Sequence, residues 1–297
     1  MTPFPAPVRD AITAAGLDLG EVERVVLGAL QEDLALGPDV TTEATVPPGT
    51  MGTADVVSRS AGVIAGLPVA VAVLDAGSGS LLSAQALRVD GDFIGRGESV
   101  MRVTGPLPSL LTCERTMLNL LSHLSGVATL TRRWVDEVAG TGAVIRDTRR
   151  TLPGLRHLEK YAVRCGGGVN HRMALGDAAL IKDNHVAAAG GIADAIRAVR
   201  AHAPSVELEA ECDTVEQVRQ AVDAGATLVL LDNMSTSQMK EAVLIAGSVR
   251  GIRLEASGGL TLARAREVAE TGVDYLSVGA LTHSAGSLDL GLDLCDG

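Results

Sequence analysis

Hydrophobic positions along this chain fall into two rhythms. Between residues 20 and 34, Val22, Val25, Val26, Ala29 and Leu30 recur at helical spacing, and the run LGPDVTTEATVPPG then ends the helix with glycine and proline. From 51 to 104 the texture shortens. Runs such as TADVVSRS and SVMRV lean towards strand, separated by glycine turns and one apolar helix near 68–77, which predicts a compact α+β unit. The stretch LPSLLTCERTMLNLLSHLSGVATLTRRWVDEVAG sets Leu110, Leu111, Met117, Leu118, Leu121 and Leu124 where a long, largely buried bridging helix needs them.

Beyond residue 141 the short apolar runs AVIR, AALIK, VELEA, LVLL, IRLEA and DYLSV alternate with helical segments, the mark of βα units and a parallel sheet. Asp213, with Glu216 three residues on, marks one helix start, and Gly225 and Gly272 mark helix ends. Six strands between 141 and 284 are too few for a complete eight-stranded barrel, which takes about 250 residues. The pattern predicts an α/β chain: an N-terminal α+β sandwich-like domain over 1–125, bridging helix included, then an incomplete α/β barrel with fewer than eight strands over 126–297. The last residues are expected to pack back on the N-terminal domain.

Composition narrows the function. With 297 residues, 46% of them hydrophobic, the chain can fill one large core or two ordinary ones. The start, MTPFPAPVRD, lacks the basic and apolar regions of a secretory signal. The longest apolar stretch is broken by Pro68 and Asp75, short of the roughly 20 residues a membrane span needs. A cytoplasmic protein without a membrane partner is expected. The four cysteines show no C-x-x-C spacing, so neither a zinc knuckle nor a disulfide framework is indicated. A net charge of -11 and 2% aromatics speak against a nucleic-acid surface, which wants a basic face and stacking rings.

Against that acidic background, residues 146–172 carry seven basic and two acidic side chains, a local charge of +5. Small anions are the natural partners of such a segment. Each strand of the second half ends in polar or glycine chemistry: Arg146-Asp147, Lys182-Asp183, Glu209 and Glu211, Asp232-Asn233, Ser257-Gly258-Gly259, and Gly279. Strand C-termini of a parallel sheet converge on one face, so these residues are expected to share a site. EASGGLT and SVGALTHS set small residues before helix starts, where backbone N–H groups can meet a phosphate, although single glycine turns are often only turns. Glu211 and Asp232 could hold Mg²⁺ or sugar hydroxyls, or be solvated loop acids. Arg149, Arg150 and Arg172 supply planar forks for carboxylate or phosphate. Arg156, Lys160 and Arg164 read as a solvated helix stripe, His171 as an anion donor or a turn cap, and His123, His157 and His202 as structural or exposed. Two rivals follow: a phosphate-binding barrel lyase or aldolase with Lys182 as Schiff-base amine, and a non-catalytic anion-binding protein.

The segments QEDLALGPDVTT, ERTMLNLLSHLSGVAT, RDTRRTLPGLRHLEKYAVRCGGGVNHR, GDAALIKDNH, LLDN, EASGG and YLSVGALTHS together resemble the quinolinate phosphoribosyltransferases, nearly end to end. The resemblance implies an N-terminal α/β domain and a short C-terminal barrel. It implies transfer of phosphoribose from phosphoribosyl pyrophosphate to quinolinate with Mg²⁺, releasing pyrophosphate and CO₂ and leaving nicotinate mononucleotide for NAD biosynthesis. It places Arg115, Arg149, Arg172 and Lys182, with His171 nearby, at quinolinate's carboxylates, Arg150 at phosphoribosyl pyrophosphate, Thr148 among the substrate-binding residues, and Glu211 and Asp232 at Mg²⁺ and the ribose, with Lys182, Glu211 and Asp232 as the catalytic set. Ser257, Gly258, Gly259 and Gly279 would cradle the 5′-phosphate. It further implies a homodimer in which Arg115 reaches the neighbour's site, whereas the sequence alone reads Arg115 as a helix-surface ion pair. One departure stands out. The family more often has D-T-R-K-T, and Arg150 occupies the lysine position, keeping the charge with a different reach and geometry.

Overall fold

The computed structural model describes residues 4–295. Its order is α1 (Ala6–Ala14), α2 (Leu19–Leu34), α3 (Val40–Thr45), β1 (Met51–Ser58), β2 (Gly62–Val63), α4 (Leu67–Ser78), β3 (Ser83–Ala86), β4 (Phe93–Ile94), β5 (Ser99–Pro106) and α5 (Leu107–Glu137). Then come β6 (Val144–Arg146), α6 (Arg156–Cys165), β7 (Ala178–Ile181), α7 (Asp183–Ala189), α8 (Ile192–His202), β8 (Glu207–Cys212), α9 (Val215–Asp223), β9 (Leu228–Asp232) and α10 (Thr236–Gly247). The chain closes with β10 (Arg253–Ser257), a 3₁₀ turn (Leu262–Arg264), α11 (Ala265–Ala269), β11 (Tyr275–Ser277), α12 (Ala280–His283) and β12 (Leu290–Leu294). Among the described residues no helix is long and apolar enough to cross a membrane.

The chain divides into two compact units. The first holds the residues up to Arg132, Thr151–Gly167, and those from Thr282 onward. Its sheet is antiparallel, ordered β12-β1-β5-β3. Alternation along β1 buries Ala54 and Val56, which pair with the buried Val103 and Met101 of β5. α4 is apolar nearly all round and packs with α1, α2 and β3, so none of its residues is exposed. Gly126 lies inside α5, where glycine normally costs stability, but a Cβ there would meet the Gly286 carbonyl oxygen at 2.0 Å. Close approach of backbone explains the residue.

α2 ends at Leu34 as expected, and inside LGPDVTTEATVPPG the structure adds a short helix: Asp39 accepts from the Thr42 amide at 3.0 Å and starts α3. One expectation fails in this unit. Arg156, Lys160 and Arg164 do not form a solvated stripe, because α6 is enclosed and residues 158–163 are all buried. Lys160 is fully buried, Arg156 donates to the Thr151 hydroxyl at 3.1 Å, and only Arg164 is exposed, over the Tyr161 ring. On the same helix Glu159 accepts from the Leu152 amide and bonds His123, which makes His123 structural.

The second unit, Arg133–Arg150 with Gly168–Leu281, is built on six parallel strands ordered β6-β11-β10-β9-β8-β7. The six expected strands are all present, and β6 and β7 stand at opposite ends of the order. Period-2 alternation in β8 puts Leu208, Ala210 and Cys212 on the buried face that meets α8 and α9, and Glu207, Glu209 and Glu211 on the other. Helix starts are fixed by capping boxes: Thr214 with Gln217, and Ser235 with Gln238. The cap of α9 is thus Thr214 rather than Asp213, since the Thr214 hydroxyl accepts from the Gln217 backbone amide while the Gln217 side-chain Oε1 accepts from both the Asp213 and Thr214 amides. Gly225 and Gly272 end their helices at φ +86° and +99°, as expected.

Candidate active site

Strand order decides which side chains meet. With all six strands parallel, their C-terminal ends lie along one edge of the sheet, so residues 146–150, Lys182, Glu211, Asp232, Ser257–Gly259 and Gly279 are gathered there from 134 residues of sequence. Thr148 and Arg149 are half-buried and Arg150 is exposed. Thr148 turns the segment by accepting from the Arg150 amide at 3.0 Å. The Nε of Arg149 is buried with no hydrogen-bond partner. An orphaned guanidinium donor beside cationic Arg172, whose own pKa burial and Arg149 push down, marks a place where an anion belongs.

Arg172 is held from below. Asp147, fully buried after β6, accepts the His171 amide at 2.8 Å and the Asn170 side-chain amide at 2.5 Å. The His171 Nδ1 accepts the Arg172 amide at 2.7 Å, and Arg172 Nη1 donates to the Ala178 carbonyl at 2.8 Å. With Nδ1 an acceptor, Nε2 carries the ring proton and faces Glu209 Oε2 at 2.8 Å. Both ring nitrogens of His171 are therefore engaged by the protein.

Register places Glu209 and Glu255 one pleat below Glu211 and Ser257 on the same face. Arg146, Glu255 and Glu209 stand on β6, β10 and β8, every second strand in the order, which is how barrel interiors build one layer. Here the layer is charged. Arg146 Nη1 lies 2.6 Å from Glu255 Oε2, and its guanidinium stacks 4.9 Å over Tyr275. Burial pushes Glu209 up to about 7, with Arg146 opposing, and pushes Glu255 up as well, with Glu209 adding to it. The imidazole and both carboxylates lie within 4.8 Å of one another, a spacing that could hold a metal ion, but Arg146 already supplies the cation at Glu255. Glu209 is legible in the sequence as a strand end, and the only local sign of Glu255 is that RLEAS repeats the alternation of ELEAE.

Lys182 Nζ pairs with Glu211 Oε2 at 2.5 Å, and Asn233 Nδ2 bonds Asp232 Oδ2 at 2.7 Å. Each carboxylate keeps oxygen valence to spare. Lys182 is exposed, so it lacks the apolar surroundings that make a Schiff-base lysine. Asn233 adopts φ +53°, and Gly258 and Gly259 follow with +85° and +58°. A Cβ on Gly258 would come within 2.4 Å of Asn233 Oδ1, so glycine is required on two counts. Arg115, on α5 of the first unit, is exposed, and no ion pair among the described residues engages it, contrary to the ion-pair reading.

The model of the quinolinate phosphoribosyl transferase C-terminal domain matches residues 127–293, and that of the N-terminal domain matches 39–125. The chain belongs to the quinolinate phosphoribosyl transferase family. It is 55% identical over 276 residues to the nicotinate-nucleotide pyrophosphorylase [carboxylating] of Mycobacterium leprae, covering 90% of this chain and 94% of that one. A probable enzyme of the same name from Bacillus subtilis is 42% identical over 245 residues, covering 81% and 83%. Among solved structures, the nicotinate-nucleotide pyrophosphorylase of Francisella tularensis superposes with a TM-score of 0.88 at 36% identity, covering 93% of this chain and 96% of that one. NadC from Streptococcus pyogenes gives 0.88 at 37%, covering 94% and 99%. Membership of the quinolinate phosphoribosyl transferases agrees with the mixed first domain and the six-stranded parallel second domain.

Proposed function

We propose that this chain transfers phosphoribose from phosphoribosyl pyrophosphate to quinolinate and releases CO₂, giving nicotinate mononucleotide and pyrophosphate for NAD biosynthesis. The observation that carries the reading is the unpartnered, buried Arg149 Nε beside Arg172 at the strand ends. Two guanidinium forks suit a dicarboxylate. Arg149 and Arg172, with Lys182 and with Arg115 supplied by a second copy of the chain, take the quinolinate carboxylates; Thr148 and Arg150 contact the substrates. His171 acts from beneath, since its ring nitrogens already serve Glu209 and Arg172.

Ser257, Gly258, Gly259 and Gly279 receive the 5′-phosphate, and the left-handed Gly258 and Gly259 let the backbone come close to it. Glu211 and Asp232, oxygen donors on neighbouring strands with valence to spare, fit a hard cation shared with substrate phosphates. Mg²⁺ there would neutralise charge on the departing pyrophosphate. The ring nitrogen of quinolinate forms the new bond to ribose C1 as the C1–O bond to pyrophosphate breaks, through an oxocarbenium-like state that positioning and charge stabilise. The cationic pyridinium then accepts the electrons left when the 2-carboxylate departs as CO₂, and C2 takes up a proton. A homodimer in the cytoplasm completes the reading. The test is a competition: purified protein, Mg²⁺ and phosphoribosyl pyrophosphate with quinolinate or nicotinate. Nucleotide from quinolinate alone is expected, and turnover of nicotinate in preference would overturn the assignment.

A further inference from the structure

We infer that Glu209 is a positioning residue for the anion-binding loop 170–172, acting on Arg172 through the His171 ring. This rests on the reading of Arg172 as a quinolinate ligand. Glu209 is buried on the inward face of β8, and its Oε2 takes the Nε2 proton of His171 at 2.8 Å. That contact fixes the ring so that Nδ1 receives the Arg172 amide at 2.7 Å. Asp147 fixes the same residue from the other side through the His171 amide, at 2.8 Å. Arg172 is thereby held near Arg149, a like charge that would otherwise drive it away before the dianion arrives. Glu209 is buried one pleat below the strand ends, so it acts through the ring rather than on a substrate. Its reach matters, since the carboxylate must span to Nε2, whereas Nε2–H needs only an acceptor and not a formal charge.

Two conservative variants separate reach from charge. Glu209→Asp keeps the buried carboxylate but withdraws it by one methylene; Glu209→Gln keeps the reach and the acceptor oxygen. Glu209→Asp is expected to raise KM for quinolinate about tenfold, with kcat and KM for phosphoribosyl pyrophosphate changed less than about threefold. Glu209→Gln is expected to recover quinolinate KM to within about threefold of wild type. The reverse order, no change in either variant, or an equal loss in all three parameters would overturn the inference. Nitrogen-15 shifts of the His171 ring, read without substrate near neutral pH, supply the second readout. A single Nε2–H tautomer in wild type that is lost in Glu209→Asp supports the contact, and an Nδ1–H ring in wild type refutes it. If wild-type protein fails to turn over quinolinate, the function above falls, while the ring tautomer still decides whether Glu209 positions the loop.

Discussion

Replacing Gly258 by alanine probes the phosphate cradle with one methyl group. At φ +85° an L-residue costs about 1–2 kcal/mol relative to glycine. The new Cβ would also stand 2.4 Å from Asn233 Oδ1, where ordinary contact begins at 3.4 Å, so the turn or Asn233 must give by about 1 Å. A displacement of that size in a positioned site costs about a hundredfold in rate. We expect Gly258→Ala to lose about 2–3 kcal/mol of stability in urea denaturation. Its kcat/KM for phosphoribosyl pyrophosphate should fall about a hundredfold, while quinolinate affinity by calorimetry stays near wild type. The collision has a named partner, so it can be relieved. Asn233 already sits at φ +53°, where glycine is unstrained, and Asn233→Gly removes the obstructing amide at the expense of its bond to Asp232. The double variant should therefore recover at least about tenfold over Gly258→Ala. Equal activity of the single and double variants would refute the steric argument, and wild-type kinetics in Gly258→Ala would remove this turn from the phosphate site.

Other expectations are simpler to state. Truncating Arg149 to alanine leaves a carboxylate unpaired and should weaken quinolinate binding by about 2–5 kcal/mol, measured by calorimetry; unchanged affinity would take Arg149 out of the site. Burial pushes the Cys113 thiol up to about 11 and those of Cys165 and Cys212 up to about 12. In the folded protein these three should resist a thiol reagent at mildly alkaline pH, leaving Cys295 as the fast site, and all four should react in guanidinium. Fast labelling of a second cysteine in native protein would contradict this. Thr214→Ala removes the α9 cap and should cost about 1 kcal/mol in thermal or urea unfolding, with kinetics unchanged.

The second unit was largely readable because its strands are short apolar runs bounded by helices with strong periodicity, and because strand ends in a parallel sheet must converge. Arg149, Lys182, Glu211, Asp232 and Ser257–Gly259 reach one sheet edge for that reason alone, whereas Arg172 precedes β7 and is tied to the end of β6 through His171 and Asp147. What escaped was set by enclosure. Lys160 looks like one position of a charged helix face, yet residues 158–163 of α6 are all buried, and no local pattern encodes that. Glu255 repeats the alternation of Glu209, but a glutamate pointing into a barrel conflicts with the apolar interior that strand periodicity leads one to expect; its stability depends on Arg146, distant in sequence. Asp213 and Thr214 compete as caps with equal local credentials, and Gln217, one residue after Glu216, tips the choice. β12 is a short run after several turns, and its pairing with β1 across the length of the sequence has no local signal.

The central claim is that one cationic edge seats a doubly acidic pyridine beside an activated sugar and that joining them releases one carboxylate. The direct measurement uses quinolinate radiolabelled in the 2-carboxylate, with phosphoribosyl pyrophosphate and Mg²⁺, counting labelled CO₂ against nucleotide formed. The account requires equal amounts of the two, and neither without phosphoribosyl pyrophosphate. Nucleotide that retains the label, or label lost without the sugar donor, would contradict it.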